Sequence, residues 1–337
     1  MFNQGLSGLL FKDMQYRSFG KTDWKVSEIG FGGWQLGGTW GEVDDSESID
    51  TLHYAFEQGI NFVDTAALYG AGRSEQVVGK ALKQWGGEKI YVASKIPPAV
   101  WDQQNDIDAP MTGRYPMEHA REQVEASLRR LGVECIDLLQ LHGWYHNGWR
   151  ELDWLEALNT LKDEGKIAHI GVSLHDARPD QGVKVAELGM VDSIQVLFNI
   201  FEQEPMADLL PAAQKSDTAI IARVPLDSGS LTGTWTEKTI KQWAPDDKRH
   251  QMYAKEGNFS ETLERIEQVR ETCAPYYQNI AEAALRFALH PGAVSLTIPG
   301  MRNRHEVDLN TIHSDGEPFP EELAKQLASH AWKHVFY

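Results

Sequence analysis

Short apolar runs that recur along the chain, separated by amphipathic stretches, constrain the fold of this sequence more than any other feature. The runs are rich in Ile, Val and Leu, as expected for strands buried on both faces of a parallel sheet. They cover residues 29–33, 60–64, 90–94, 136–141, 167–172, 193–198, 219–224 and 293–298. Eight such strands alternating with helices predict an α/β fold, a (β/α)8 TIM barrel.

A doubly wound sheet is the alternative to the barrel, and it would carry a glycine-rich phosphate turn after its first strand. No G-x-G-x-x-G followed by a helical pattern occurs there, so the barrel is favoured. Ahead of the barrel, YRSF and KVSEIGF alternate around the polar turn GKTD and predict an N-terminal β-hairpin. Residues 97–116 and 226–260 predict long loops at the C-terminal face, where barrel sites are shaped.

The length of 337 residues suits one large barrel, and no linker, repeat or low-complexity run divides the chain. We therefore expect residues 14–337 to form a single barrel domain. Residues 1–13 are expected to be an N-terminal extension outside it.

The charge balance of the chain excludes several kinds of partner. Lys and Arg number 32 against 49 Asp and Glu, a formal net charge of −17, whereas nucleic acids and anionic membranes attract basic patches. The start of the chain lacks the order of a signal peptide, and no apolar stretch approaches the roughly 18–20 residues that span a bilayer. Cys135 and Cys273 lie far apart without a CxxC pair, which is typical of a reducing cytoplasm. Nothing in the pattern indicates an oligomeric state.

Four chemically active side chains occur at or just after the ends of three neighbouring predicted strands. Asp64 closes NFVDTA, Lys95 closes IYVASK, His142 closes IDLLQLH, and Tyr69 follows shortly after Asp64. Each alone is more often structural, as a helix N-cap, a solvated rim charge, a satisfied histidine or a packing tyrosine. Because the carboxyl ends of barrel strands meet at one rim, we expect the four to converge into one site.

The chemistry of these four residue types points to proton donation. A tyrosine has an unperturbed pKa of about 10, so it needs a stabilised phenolate to act near neutrality. A lysine ammonium supplies that stabilisation, and a buried aspartate keeps the lysine charged and in place. A histidine can orient and polarise a carbonyl oxygen. The set provides no hydride, which implies a nicotinamide cofactor.

The motifs that carry these residues resemble the aldo-keto reductase family, and in overall look its bacterial general-stress-protein type. The segment FVDTAALYGAGRSEQVVGKAL is similar to the family signature, and the resemblance extends from Gln15 to about Leu327. Further motifs follow in the family's order: VASK, DLLQLH, HIGVSLH, SIQVLFN, RVPLDSGSLTG and SLTIPGMRNRHEVDLN. The resemblance implies that Tyr69 is the general acid, that Lys95 and Asp64 tune it, and that His142 orients the carbonyl.

The same resemblance implies a set of cofactor contacts. Ser173 and Gln195 would hold the nicotinamide carboxamide, and Arg223 stands where many relatives carry a stacking aromatic. A guanidinium can also stack on a ring, so we expect Arg223 over the nicotinamide or at the pyrophosphate. The implied contacts are Ser173, Gln195, Arg223, Pro225, Leu226, Leu231, Gly233, Gly300, Arg302, Glu306 and Asn310.

Arg302 is the expected partner of a 2′-phosphate, which predicts NADP(H) as the cofactor, with NAD(H) as the alternative. Relatives commonly have Gln or Arg where Glu306 stands, and a carboxylate there opposes a phosphate. Trp34 and Trp144 follow strand ends and are candidates for the substrate pocket, although rim tryptophans as often serve packing. No metal-site spacing is present among the scattered histidines.

These features predict an NADP(H)-dependent reductase of small-molecule aldehydes and ketones. Two other classes remain open from the sequence. One is a nicotinamide-binding, redox-sensing regulatory subunit without significant turnover. The other is a barrel hydrolase built on an Asp/Glu pair, which would need neither Lys95 nor the IPG segment.

Overall fold

The computed structural model describes residues 14–38, 41, 43–101, 109–145, 147–176, 178–245, 247–255 and 257–334. Residues 1–13 and the middle of the predicted 97–116 loop lie outside these ranges. The described chain begins with the predicted hairpin, in which β1 (Tyr16–Ser18) pairs antiparallel with β2 (Lys25–Ser27).

The eight predicted strands form one parallel sheet in chain order, each paired with its neighbour in sequence. They are β3 (Phe31–Gly32), β4 (Phe62–Asp64), β5 (Tyr91–Ile96), β6 (Ile136–His142), β7 (Ile167–Ser173), β8 (Ser193–Leu197), β9 (Ala219–Arg223) and β10 (Val294–Thr297).

The two edges of this sheet meet, so the barrel prediction is confirmed. Parallel bridges join Ile29 to Thr297 and Gly32 to Gly300. The amide of Gly30 donates to the Thr297 carbonyl at 2.8 Å, and that of Gly32 donates to the Pro299 carbonyl at 3.0 Å. Closure leaves the eight described strands of this sheet without an unpaired edge, which is how a barrel satisfies its backbone polar groups.

Helices surround the sheet and cover its outer face with their apolar sides. They are α1 (Asp45–Glu57), α2 (Arg73–Gln84), α3 (Met117–Leu131), α4 (Asp153–Asp163), α5 (Val183–Glu187), α6 (Leu209–Lys215), α7 (Lys248–Tyr253), α8 (Asn258–Cys273), α9 (Ile280–Leu289), α10 (Arg304–Thr311) and α11 (Glu321–Leu327). Local signals set their ends: the Asp44 side chain caps the first amides of α1, and α3 stops at Gly132 in the left-handed conformation. Over the described ranges, none of them combines the length and apolar character needed to cross a bilayer.

The hairpin packs against an apolar cluster at the N-terminal end of the barrel. Phe19, Trp24 and Val26 from the hairpin join a cluster with Phe62 and Leu138 from the barrel strands. Side chains two apart along a strand share a face, so Phe62 lies on the same face as Asp64, and Leu138 on the same face as Gln140. The strand sequences therefore place an apolar layer at the N-terminal end of the barrel interior and a polar layer at its C-terminal rim.

We expect Gly32→Ala to destabilise the barrel because it lies at the closure between the first and last barrel strands. An added Cβ there would lie 2.6 Å from the Ile298 carbonyl oxygen and 2.9 Å from that of Pro299, both backbone atoms. Overpacking of this kind costs about 1–3 kcal/mol of unfolding free energy. Gly86→Ala is the matched control, since no atom lies within 4 Å of its added Cβ. Urea unfolding of both variants measures the difference, and equal midpoints would contradict the packing argument.

Candidate active site

A buried ammonium lies at the centre of the polar layer. Lys95, in β5, has no exposed surface, and its Nζ donates to Asp64 Oδ1 at 2.5 Å, to the Thr65 carbonyl at 3.0 Å and to the Tyr69 hydroxyl at 3.0 Å. An ammonium has three protons to donate and no capacity to accept. All three protons of Lys95 therefore have acceptors, and the ion is held in a single orientation.

The surroundings of Lys95 keep it charged. Burial alone would lower the pKa of this ammonium, but the Asp64 carboxylate and the hydrogen bonds to Asp64 and Tyr69 outweigh it. The net result is a pKa above the usual value for lysine. The positive charge is thus permanent over the physiological pH range.

The Tyr69 hydroxyl is an acceptor from Lys95, which leaves its own proton available. The side chain is nearly buried, and burial raises the pKa of the phenol, while the Lys95 charge partly lowers it. The net shift is upward, so Tyr69 is protonated at neutral pH. Its ring lies under the same ammonium, with Lys95 Nζ 4.7 Å from the ring centroid.

His142 ends β6 and faces Tyr69 across the rim. The two ring centroids are 5.9 Å apart and the planes are nearly perpendicular, at 82°. Burial, with the nearby charges of Lys95 and Arg223, holds the pKa of His142 well below the usual range for histidine. Its imidazole is therefore neutral, and its Nδ1 atom is buried without a hydrogen-bond partner among the residues described.

The second carboxylate oxygen of Asp64 is held by two glutamine side chains. Gln195 Nε2 donates to Asp64 Oδ2 at 2.8 Å and Gln140 Nε2 donates to it at 3.1 Å. Gln140 was not among the predicted site residues. The signal for it is strand alternation, because Gln140 lies two residues before His142 on the same face of β6.

The predicted carboxamide contacts lie side by side. Ser173 ends β7 and is paired in register with Gln195 of β8. Within the described ranges the Ser173 hydroxyl makes no hydrogen bond, so a donor and acceptor is available at the rim. This uncommitted polar group suits a primary amide such as that of a nicotinamide.

Arg223 ends β9 with its guanidinium already engaged. It donates to the Asp176 carboxylate and, at 3.2 Å, to the Leu174 carbonyl, both in the segment after β7. Its charge is close enough to act on the pKa values of Tyr69 and His142. Stacking on a nicotinamide ring remains a prediction for this residue.

The segment predicted to cross the pyrophosphate is a tight turn after β9. Pro225 and Leu231 are buried and Leu226 is partly buried, so these side chains anchor the turn. Gly233 closes it with φ +73°, and its carbonyl accepts from Arg270 Nη2 at 3.0 Å. The segment Asp227–Thr232 is not a continuous 3₁₀ helix, because its backbone is kinked at Ser228 and Gly229, where φ is positive.

The predicted adenosine segment surrounds the start of α10. Glu306 Oε1 accepts from Arg302 Nη2 at 2.9 Å, and its other oxygen accepts from the Arg302 amide at 2.8 Å. Asn310 is buried and donates to the Gly300 carbonyl at 3.4 Å. The guanidinium expected to bind a 2′-phosphate, two residues before α10, is therefore paired with a carboxylate in the first turn of that helix.

The two predicted pocket tryptophans have different environments. Trp34 is 36% exposed and packs edge-on against Tyr69, with centroids 4.9 Å apart, so it borders the site. Trp144 is 1% exposed; it packs against Trp154 and its indole N–H donates to the Gln181 carbonyl. The structure gives Trp144 a packing environment instead of a pocket surface. Trp101, 6.4 Å from the His142 ring, borders the site in its place.

The arrangement contains no sign of a metal centre in the described part of the chain, where no group of three or more His, Cys, Asp or Glu side chains is placed to hold an ion. Its chemistry is that of a neutral acid, a permanent cation and a neutral imidazole at one rim. Such a set can protonate an oxygen and stabilise the charge left behind.

Comparisons with known proteins agree with the family resemblance of the sequence motifs. A family model described as Aldo/keto reductase family matches residues 28–331. The chain is 32% identical over 286 residues to the NADH-specific methylglyoxal reductase of Escherichia coli, covering 80% of this chain and 84% of that protein. It is 31% identical over 298 residues to the aldo-keto reductase YhdN of Bacillus subtilis, covering 88% and 87%. The solved glycerol dehydrogenase AKR11B4 from Gluconobacter oxydans superimposes with a TM-score of 0.76 at 29% identity, covering 94% of both chains.

We expect Asp64→Asn to lower the unfolding free energy by about 3–5 kcal/mol, because it leaves the buried Lys95 ammonium without its counter-charge. Adding Lys95→Met in the same chain removes that charge and should recover much of the loss. Glu261→Gln, which breaks an exposed pair with Arg265 at 2.9 Å, is the control and should cost at most about 1 kcal/mol. Chemical unfolding compares the variants; a double variant less stable than Asp64→Asn would show that the buried charge is not the cause.

Proposed function

Because the chain belongs to the aldo/keto reductase family, we propose that it reduces aldehydes and ketones to alcohols with hydride from a nicotinamide cofactor. One observation carries the proposal: Tyr69 accepts a hydrogen bond from the buried Lys95 ammonium and keeps its own proton. Small-molecule carbonyl compounds are the substrates that such a proton donor serves.

The rim residues fit the nicotinamide end of that cofactor. Ser173 offers a hydroxyl that is not engaged within the described chain, beside Gln195, whose amide nitrogen is fixed by Asp64. Both would hold the carboxamide group, while Leu231 and Gly233 would lie along the pyrophosphate. When bound, the reduced nicotinamide supplies hydride to the carbonyl carbon.

Tyr69 would complete the reduction by protonating the carbonyl oxygen. As the oxygen gains charge, the Tyr69 O–H transfers its proton, and the phenolate left behind remains hydrogen-bonded to Lys95. The ammonium is already in position, so its electrostatic stabilisation requires no reorganisation. Alcohol oxidation would use the same groups in reverse.

His142 would orient the carbonyl as a neutral donor. A buried lone pair costs less than a buried N–H, and Nδ1 is the buried atom without a partner in the described chain, so we place the proton on Nε2. The low pKa of His142 prevents a second positive charge beside Lys95. A neutral imidazole can donate to the substrate oxygen without competing with Tyr69 as the acid.

We further propose that the enzyme takes NADPH, as the sequence predicts from Arg302, but discriminates weakly against NADH. The Arg302–Glu306 pair supports weak discrimination, since a 2′-phosphate would have to displace or tolerate the carboxylate. A relative described as NADH-specific is consistent with both cofactors being usable within this family.

Tyr69→Phe should lower the rate of carbonyl reduction by about 10²–10⁴-fold, because the ring is retained and the proton donor is lost. The dissociation constant for the cofactor should stay unchanged. Turnover is followed by the absorbance of the reduced nicotinamide with a panel of aldehydes, and binding by its fluorescence. Tyr91→Phe, packed on Trp24 at the opposite end of the barrel, is the control. Full activity in Tyr69→Phe would refute the proposed role.

Glu306→Gln should shift cofactor preference toward NADPH, because it releases Arg302 for the 2′-phosphate. A charge-assisted hydrogen bond of that kind corresponds to roughly a tenfold gain in NADPH affinity over NADH. Titrations with both cofactors measure the ratio. The control is Glu187→Gln, which breaks the remote, exposed pair with Lys184. An unchanged ratio would mean that Arg302 and Glu306 do not meet the 2′-position.

A further inference from the structure

The turn expected to cover the pyrophosphate is held in a strained backbone conformation. Asp227, Ser228 and Gly229 have φ values of 46°, 55° and 103°, three left-handed residues in a row. Non-glycine residues adopt this region only where their surroundings hold them there. The backbone bonds of the turn are local: the Asp227 amide donates to the Val224 carbonyl at 3.1 Å, and the Leu231 amide donates to the Leu226 carbonyl at 3.2 Å.

A buried histidine from the C-terminal end of the described chain holds Asp227. His334 Nε2 lies 3.0 Å from Asp227 Oδ1, and the His334 backbone amide donates to Glu202 Oε1 at 3.2 Å. The other carboxylate oxygen of Asp227 accepts from Ser230 Oγ at 2.5 Å, inside the same turn. Asp227, Glu202 and His334 are all buried. The contact spans 107 positions of sequence, so it ties the segment that contains His334 to the turn.

The groups around the imidazole require both of its nitrogens to donate. Nδ1 lies 3.0 Å from the Trp332 carbonyl and 3.4 Å from Glu202 Oε1, whereas Nε2 faces Asp227. All of these are oxygens that accept. A neutral imidazole donates from one nitrogen only, so the imidazolium is the form that satisfies the site.

Other groups at the site are compatible with that charge. Trp332 stacks on the His334 ring, with centroids 4.3 Å apart, and the Arg265 guanidinium lies 4.3 Å from the Trp332 ring centroid. Lys333 pairs outward with Glu204 at 2.9 Å, and the Tyr253 phenol, whose pKa burial raises, lies near Asp227. Burial alone would lower the pKa of His334, but the Asp227 bond and the Glu202 charge raise it above the usual value.

We propose that His334 is a positioning residue for the cofactor: its bond to Asp227 holds the turn Asp227–Gly233 in the conformation that covers the pyrophosphate. The proposal rests on the proposed function, since the cofactor contact of this turn is part of that function. His334 touches no reacting atom. Its effect should therefore appear in cofactor affinity and in the dynamics of the turn, not in the proton transfer by Tyr69.

The sign of the pH dependence follows from the raised pKa. A histidine whose pKa is raised by folding contributes fully below its unfolded value of about 6.5 and loses that contribution as the pH rises through the folded value. The imidazolium is the form that holds Asp227, so cofactor affinity in the natural chain should decline as the pH rises above about 6.5 and through the raised pKa of His334. NADH is the cleaner probe, because it lacks the titrating 2′-phosphate of NADPH.

The test compares His334→Gln with the natural chain at full length. Dissociation constants for NADH and NADPH come from fluorescence titration across the pH range, and amide hydrogen exchange reports the turn without cofactor. We expect roughly tenfold weaker binding at low pH, a flattened pH dependence and faster exchange across residues 226–233. His330→Gln is the matched control, a histidine of the same segment bonded to Thr272 at 2.8 Å, and it should behave like the natural chain.

Asp227→Asn provides the second arm, since it removes the carboxylate but keeps the shape, and it should reproduce the weaker binding and faster exchange. Folded variants of either kind that bind both cofactors and exchange like the natural chain would overturn the proposal. A natural chain that binds neither cofactor would refute the proposed function instead. In that case the exchange data alone still decide whether His334 holds the turn.

Discussion

The buried ion pair between Lys95 and Asp64 is the interaction on which the rest of the site depends. An ammonium taken out of water is costly unless its charge and every proton find partners. Here Asp64, Thr65 and Tyr69 take all three protons, and Gln140 and Gln195 saturate the other carboxylate oxygen. Removing one member leaves another unsatisfied, so the group behaves as a unit.

The position of this pair follows from the geometry of barrel strands. Alternate residues face the interior, so β4 presents Phe62 and then Asp64, and β6 presents Leu138 and then Gln140 and His142. Phe62 and Leu138 belong to the apolar layer at the N-terminal end of the barrel. The hairpin packs against this layer, and its Phe19 side chain is part of the same cluster. A charged group buried in the apolar layer would have no partner and would cost folding free energy. The polar layer lies at the C-terminal rim, where a substrate can reach its charged groups.

At the expected cofactor positions, carboxylates of this acidic chain already pair with its arginines. Two guanidiniums at expected cofactor positions are already paired with carboxylates, Arg223 with Asp176 and Arg302 with Glu306. Each pairing lowers the charge available to a phosphate. In the turn after β9 the roles are reversed: the residue near the expected cofactor position is a carboxylate, Asp227, and the protein pairs it with the imidazolium of His334. Cofactor binding in this chain would thus be set by competition within the protein as much as by direct contacts.

The sequence by itself determined the strands, their order and the candidate catalytic four, because each of these depends on local pattern. Short apolar runs rich in Ile, Val and Leu, alternating with amphipathic stretches, are typical of the strands of a parallel barrel, and a polar residue at the end of such a strand lies at the rim. It could also have indicated Gln140 through the same alternation. The tertiary structure alone decided what each side chain meets: Trp144 packs on Trp154, Arg223 pairs with Asp176, and His334 reaches Asp227. Those contacts depend on how segments distant in sequence pack together. The hydrophobic periodicity and composition of one segment carry no information about which side chain of another segment it will contact.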